Sequence, residues 1–304
     1  MNLVAAIAQL LGLALAPLLP GLIQTLKARL QGRHGPSALQ PYRTLRRLWS
    51  KSAVDPDGTG VVYRMAPGLI VACLIVAVLL VPLAGRAGNF GLGDDAIVFV
   101  GVLALPRFTA AAAAWDTGNG FALMGAARDL MIAVFGEALL LLALLVAALP
   151  AHSTDLRAMG AAAAGWQIWS TPAHWCGAFA FALVILVETG RQPIDNPDTH
   201  LELTMIHEGP LLEYAGRDLA LLQWAAAARH WVVLVLGAGL FLPHPRGFVA
   251  SLGVEFVEVI ALCTALALVE TSEAKMRILR VPLLIGVGCA IALAGTGLSV
   301  GGVT

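Results

Sequence analysis

Charge is what this chain has least of. Only 12% of its 304 residues are Asp, Glu, Lys or Arg and 59% are hydrophobic, where an ordinary soluble domain is about 25% charged. That deficit excludes a soluble globular fold and leaves an all-α, polytopic integral membrane protein. Lys and Arg balance Asp and Glu at 19 each, so there is no basic footprint for nucleic acid. Cysteine is equally sparse. Cys73, Cys176, Cys263 and Cys289 lie far apart in or near apolar segments, with no CxxC and no Cys/His pattern. Zinc and iron–sulfur sites are therefore not expected, and buried free thiols are. A Walker loop, GxGxxG, GxSxG and HExxH are all missing, so no enzyme signature marks this chain as catalytic. His200 and His207 form a pair seven residues apart with no third ligand spaced to complete a metal site. Low-complexity tracts, a soluble domain and inverted halves are also absent; the last of these argues against a common secondary transporter.

What is there is a succession of apolar runs. Eight can be read, at roughly 3–23, 67–85, 96–115, 129–149, 173–189, 219–242, 249–270 and 281–299, each near the ~20 residues that cross a hydrocarbon core. The chain reads as one membrane domain over 1–304. Fourteen of the 19 Lys and Arg fall in the loops after runs one, three, five and seven. Arg86, Arg157 and Arg246 occupy the opposite loops, and Arg107 and Arg229 lie inside runs. This bias predicts that both termini are outside and the basic loops cytoplasmic. The first run has no positive residue before it and several after it, which argues against a cleaved signal peptide. Pro106 and Arg107 interrupt the third run, which is expected to be a broken or tilted helix.

The chain is organised around Glu188–Tyr214. Glu188, Asp195, Asp198, Glu202, Glu208 and Glu213 crowd there with Arg191, His200, His207 and three prolines, between two apolar runs. Ionisable clusters at the edge of a bilayer cost free energy and mark ion or proton pathways. A solvated loop with ordinary surface charges is the alternative. Pro193 and Pro197 stop the incoming helix. If 198–208 is helical, Asp198 and Glu202 share one face and His200 and His207 another.

Three further constellations carry charge. The first loop reads KARLQGRHGPSALQPYRTLRRLWSK; its Gly32–Pro36 core makes a sharp turn that exposes Arg33 and His34 to a partner protein. Arg107 lies eight residues from Trp115, and Glu137 eight from Asp129. At 1.5 Å per residue, both sit about 12 Å into the membrane on consecutive helices, which predicts that they pair. The last basic loop holds Glu270, Glu273, Lys275, Arg277 and Arg280, with Glu270 placed to reach the same polar chamber as Glu188. Glu255 and Glu258 read as interfacial charges at the outer end of the seventh run.

Several stretches together resemble one family. They are Gln31-Gly-Arg33-His34-Gly35-Pro36, Arg107-Phe108, Asp116-Thr-Gly118, Glu188-x-x-Arg191-x-Pro193-x-Asp195, Glu202-Leu203 and Glu213-Tyr214. In this order they are similar to the core membrane subunit shared by respiratory complex I and the group 4 nickel–iron hydrogenases, over nearly the whole chain. Asp198 and His200 stand where the complex I loop is richer in glutamate, the stretch TMIHEGPL lengthens the spacing from Glu-Leu to Glu-Tyr, and Ala-Arg128-Asp129 replaces a common Ser-Arg-Glu. These departures resemble the formate hydrogenlyase-type branch, in which no quinone is used.

The resemblance implies a non-catalytic membrane-anchor and coupling subunit of an oxidoreductase complex in a bacterial or archaeal inner membrane. It implies no cofactor or metal in this chain, with the nickel–iron centre and iron–sulfur clusters in partner subunits. Those partners would be the hydrogenase large and small subunits, an iron–sulfur subunit and antiporter-like membrane subunits. The implied proton path or coupling residues are Glu137, Glu188, Asp195, Asp198, His200, Glu202, His207, Glu208 and Glu213. Arg107, Asp116, Arg128, Asp129, Arg191, Glu270, Lys275 and Arg277 would supply supporting charge, and Arg29, Gln31, Arg33, His34, Gly35 and Pro36 would dock the partner. The quinone-end subunit of a complex I-like NADH dehydrogenase, a stand-alone secondary transporter and a passive scaffold are the rival readings.

Overall fold

The computed structural model describes residues 3–85, 95–196, 205–245 and 247–301. Among them the chain is helical: α1 Leu3–Leu15, α2 Leu18–Leu30, α3 Gln40–Trp49, α4 Val61–Leu80, α5 Ala96–Thr117, α6 Gly120–Ala151, α7 Leu156–Ala163, α8 Pro172–Thr189, α9 Gly216–Phe241, α10 Phe248–Ser272 and α11 Val281–Val300. Three short 3₁₀ turns, Trp166–Ser170, Gly209–Leu211 and Ile278–Arg280, join them.

Helices α4, α5, α6, α8, α9, α10 and α11 are each long and apolar enough to cross a membrane, and the α1–α2 pair, bent by 42°, makes an eighth candidate span. This is a multi-pass membrane protein. Of the two forms expected around Pro106, a broken or a tilted helix, the break is not found there; a break falls at Pro17, between α1 and α2. Proline removes a helical hydrogen bond and pushes on the preceding turn, so an interruption needs partners for the freed groups. Helix α5 runs through Pro106 without a break; the carbonyl that loses its helical donor there is that of Val102, and the next one, Leu103, accepts Arg229 Nη2 at 3.1 Å.

Local signals set the ends. Asp95, Asn119 and Asp155 cap α5, α6 and α7 by accepting backbone N–H groups in the first turn. Asn119 starts α6 well before the apolar run at 129, so the helix reaches beyond that run at its first end. The basic first loop contains the amphipathic α3, which lies against α2 and α9.

Packing places α9 at the centre, against α4 and α8, while α6 packs on α5, α8 and α11, and α10 rests on α2. Helix α9 is the most enclosed span, and α10 and α11 the least. All four cysteines are free; Cys73 and Cys263 are buried and the other two half-buried. Glu255, expected at the outer end of the seventh run, is 2% exposed and accepts the Ala84 N–H at 2.7 Å. Glu258 lies 3.4 Å from His244.

Candidate functional site

Helix α8 ends in Val187-Glu188-Thr189, and Gly190 takes a left-handed conformation (φ 60°) that turns the chain into the loop. A Cβ there would sit 2.8 Å from the His207 ring, so glycine also permits the loop to fold back onto its own start. Gly125 of α6 and Gly209 approach so closely that a Cβ on Gly125 would be 2.6 Å from the Gly209 Cα, which seats the returning segment of the loop on α6. The Pro193 carbonyl accepts the Met276 N–H at 2.8 Å, which ties in the segment after α10.

These approaches assemble two chains of charge. In the first, Lys275 Nζ lies 2.7 Å from Asp195, and Asp195 lies 3.2 Å from His207 Nδ1. The other ring nitrogen faces Asp129 of α6 at 3.6 Å. Asp129 is 3.9 Å from Arg107 Nε of α5, Arg107 Nη1 is 3.2 Å from Glu188, and Glu188 is 2.8 Å from Arg229 of α9. In the second, Lys27 of α2 lies 3.4 Å from Glu270 of α10, Glu270 is 2.9 Å from Arg191, and Arg191 Nε donates to His230 Nε2 at 3.2 Å. The two meet through neighbours in sequence, Arg229 with His230 on α9 and Glu188 three residues before Arg191. Arg107, Glu188, Arg191 and Glu270 are each under 5% exposed. Charges so buried persist only when paired.

The electrostatics of the loop follow from this arrangement. Burial alone would raise the Asp195 carboxyl, but the hydrogen bonds and charges of His207 and Lys275 outweigh it and hold it well below the usual carboxylate range. Burial, with the neighbouring Tyr63 and the charges of Asp218 and Asp116, pushes the Tyr214 phenol above its ordinary value. Tyr214 stacks on Tyr63 with ring centroids 4.3 Å apart, donates to the Tyr63 carbonyl at 2.9 Å, and so pins the loop's end to α4. The two links of 3.6 and 3.9 Å exceed hydrogen-bond length, and both involve Asp129 Oδ1, which has no hydrogen-bond partner among the described residues.

The expected site residues divide accordingly. Glu188, Asp195, His207, Asp129, Arg107, Arg191, Glu270 and Lys275 are brought together. Arg128 donates to the Met205 carbonyl at 3.3 Å beside them. Asp116 accepts the Tyr63 N–H at 2.9 Å, the Glu213 carboxylate takes the Asn119 amide, and Glu208 is half-buried next to His207. The expected Arg107–Glu137 pair is not formed. Arg107 turns to Glu188 and Asp129, while Glu137 has a buried carboxylate oxygen with no hydrogen-bond partner among the described residues. Arg277 is exposed and outside the chains, and Arg29, Gln31, Arg33, His34, Gly35 and Pro36 form an exposed tip beyond α2. Asp198, His200 and Glu202 lie outside the described residues. Sequence reasoning missed Arg229, His230 and Lys27. Arg229 and His230 were legible as ionisable residues inside an apolar run; Lys27 was hidden among the basic residues of the first loop. Among the described residues, no group of three or more His, Cys, Asp or Glu is placed to hold a metal ion.

Comparison with known proteins agrees with this architecture. The family described as NADH dehydrogenase matches residues 2–298. The chain is 34% identical to hydrogenase-4 component C of Escherichia coli over 88% of its length and 86% of that protein's. It is 31% identical to formate hydrogenlyase subunit 4 of the same organism, covering 87% and 88%. It is 26% identical to an NADH-quinone oxidoreductase subunit of Chlorobaculum parvum, covering 71% and 63%. The fold matches a chain of the membrane-bound sulfane sulfur reductase, an archaeal respiratory membrane complex, with a TM-score of 0.85 at 22% identity, covering 97% of this chain and 98% of that one.

Proposed function

Since the chain belongs to the NADH dehydrogenase family of membrane subunits, we propose that it is the membrane-anchor and coupling subunit of a group 4 nickel–iron hydrogenase complex of the formate hydrogenlyase type, in a bacterial or archaeal cytoplasmic membrane. The higher identity and fuller coverage toward hydrogenase-4 component C and formate hydrogenlyase subunit 4, compared with the NADH-quinone oxidoreductase subunit, support the hydrogenase branch. The nickel–iron centre and clusters reside in partner subunits.

The observation that carries the reading is the run of charge from the loop to the membrane interior. His207 presents one ring nitrogen to Asp195 and the other to Asp129. An imidazole so placed takes a proton on one nitrogen and releases it from the other. A change of charge in the docked redox arm acts first on the Lys275–Asp195–His207 end. It then loosens or tightens Asp129, Arg107, Glu188 and Arg229 in turn, because each ion pair sets the field felt by the next. Proton or sodium translocation in the membrane is driven from there. The exposed 29–36 tip and the Glu188–Tyr214 loop form the docking face, on the cytoplasmic side, with both termini opposite.

Purification of the intact complex with metal analysis tests the assignment. Nickel together with iron supports it; a flavin-containing NADH-oxidising arm without nickel selects the quinone-linked relative instead. Arg33→Glu with His34→Glu is expected to release the redox arm from membranes, and retention of an active arm removes the tip from the docking face. Reporter fusions in 24–65 should behave as cytoplasmic; a periplasmic signal reverses the orientation.

A further inference from the structure

Between α3 and the spans α4 and α9 lies an open cleft of about 410 Å³. Volumes of this order hold small molecules and chains. Its walls are Leu45 and Trp49 of α3, Val71 of α4, and Leu221 and Trp224 of α9, with Arg46 the one charged side chain on them. The charge chains lie elsewhere, and no residue of the cleft belongs to them.

Helix α3 has an unusual balance for an element packed on a membrane bundle. None of its residues is fully buried, and Trp49 is 54% exposed. Arg43, Arg46 and Arg47 project from it, Lys51 follows directly, and all four are exposed. None of the four makes an ion pair with a described residue. A short helix with apolar side chains on one face and several arginines on the other lies in the plane of the membrane interface. Here the helix lies against α2 and α9, and its Leu45 and Trp49 roof a gap between α4 and α9. The gap offers an apolar slot between membrane-spanning helices, and its rim offers unneutralised positive charge.

We propose that this cleft binds an anionic phospholipid, with an acyl chain laid between Val71, Leu221 and Trp224 and the phosphate held by Arg46 and its neighbours Arg43 and Arg47. The occupant needs both halves. An apolar chain alone leaves the arginines without a counter-charge, and a free phosphate leaves the apolar slot unfilled. An anionic lipid satisfies both without displacing a protein contact, and its bound form would fix α3 against α9, whose first turn leads directly out of the Glu188–Tyr214 loop.

The test uses the purified complex in nanodiscs of phosphatidylethanolamine. They are doped with either a phosphatidylglycerol or a phosphatidylethanolamine that carries a diazirine in one acyl chain, at equal mole fraction. The glycerol lipid should label peptides of α3 and α9 preferentially. Arg43→Gln, Arg46→Gln and Arg47→Gln should each reduce that preference by up to about fivefold, the worth of one basic residue at an anionic surface. Leu221→Trp, which fills the slot, should abolish labelling by both probes, and Val71→Phe serves the same purpose if Leu221→Trp fails to assemble. Equal labelling by the two headgroups overturns the proposal, as does labelling indifferent to the slot-filling change. Crosslinking of the cleft to a partner subunit, or competition by a quinone probe but not by phosphatidylglycerol, assigns the cleft to another occupant and also overturns it.

Discussion

Arg107 of α5 and Glu188 at the end of α8 form a buried ion pair at 3.2 Å, and the same carboxylate holds Arg229 of α9 at 2.8 Å. Glu188 is thus a single anion between two cations, Arg107 buried and Arg229 half-buried, and it joins three spans. Its removal should be the more damaging change. Glu188→Ala leaves both arginines facing each other, and breaking a buried pair costs about 3–5 kcal/mol. Arg107→Ala leaves Glu188 with Arg229 and should cost less. The double substitution Glu188→Gln with Arg229→Gln should recover part of the loss. Thermal melting and yield of the purified complex measure all three. Equal losses for Glu188→Ala and Arg107→Ala would contradict the bridging role.

Glu137 gives the opposite expectation. It makes no ion pair with Arg107, so Glu137→Gln should change the melting temperature little. A lower ratio of ions moved to hydrogenase turnovers in sealed vesicles would place it on the path. Normal pumping at normal turnover would make it a structural residue.

The loop's acid sensitivity has a defined sign. The folded-state affinity of Asp195 for protons is depressed by His207 and Lys275. Its contribution is therefore fully present above the unfolded value near pH ~3.9 and is lost as pH falls through the lower folded value. The stability gap between wild type and Asp195→Asn that this carboxylate contributes should still be present at about pH 5 and close only in stronger acid. A gap that closes between about pH 7 and pH 6 would show that another group controls the loop.

Gly190 offers a geometric test. Gly190→Ala places a methyl against the His207 ring and forces a left-handed alanine, at about 1–2 kcal/mol. The complex should still assemble, with coupling reduced because His207 is displaced from Asp195. Hydrogenase turnover measured beside ion movement separates this from simple unfolding. Unaltered coupling would remove the His207–Asp195 contact from the path.

What the sequence determined by itself was the local part of this protein. Hydropathy over some 20 residues located the spans. Prolines and glycines marked turns, and Asp95, Asn119 and Asp155 wrote the starts of helices beside them. The same local reading offered a broken or a tilted helix at Pro106 and did not see the break at Pro17; α5 runs through Pro106, where Arg229, 126 residues after Leu103 and on another helix, donates to the Leu103 carbonyl. It also picked out Arg107, Asp129, Glu188, Asp195 and His207, which the fold brings together, without saying who pairs with whom. Equal depth made Glu137 the natural partner of Arg107. Eight residues of helix, however, turn Glu137 by roughly 80° from Asp129, and only the packing of α6 on α5 and α8 decides which of these faces Arg107. The joining of Lys275 to Asp195, Lys27 to Glu270 and Arg229 to Glu188 is likewise a matter of tertiary structure. A buried charge takes whichever opposite charge the helix rotations bring within reach, and no local sequence signal encodes that rotation.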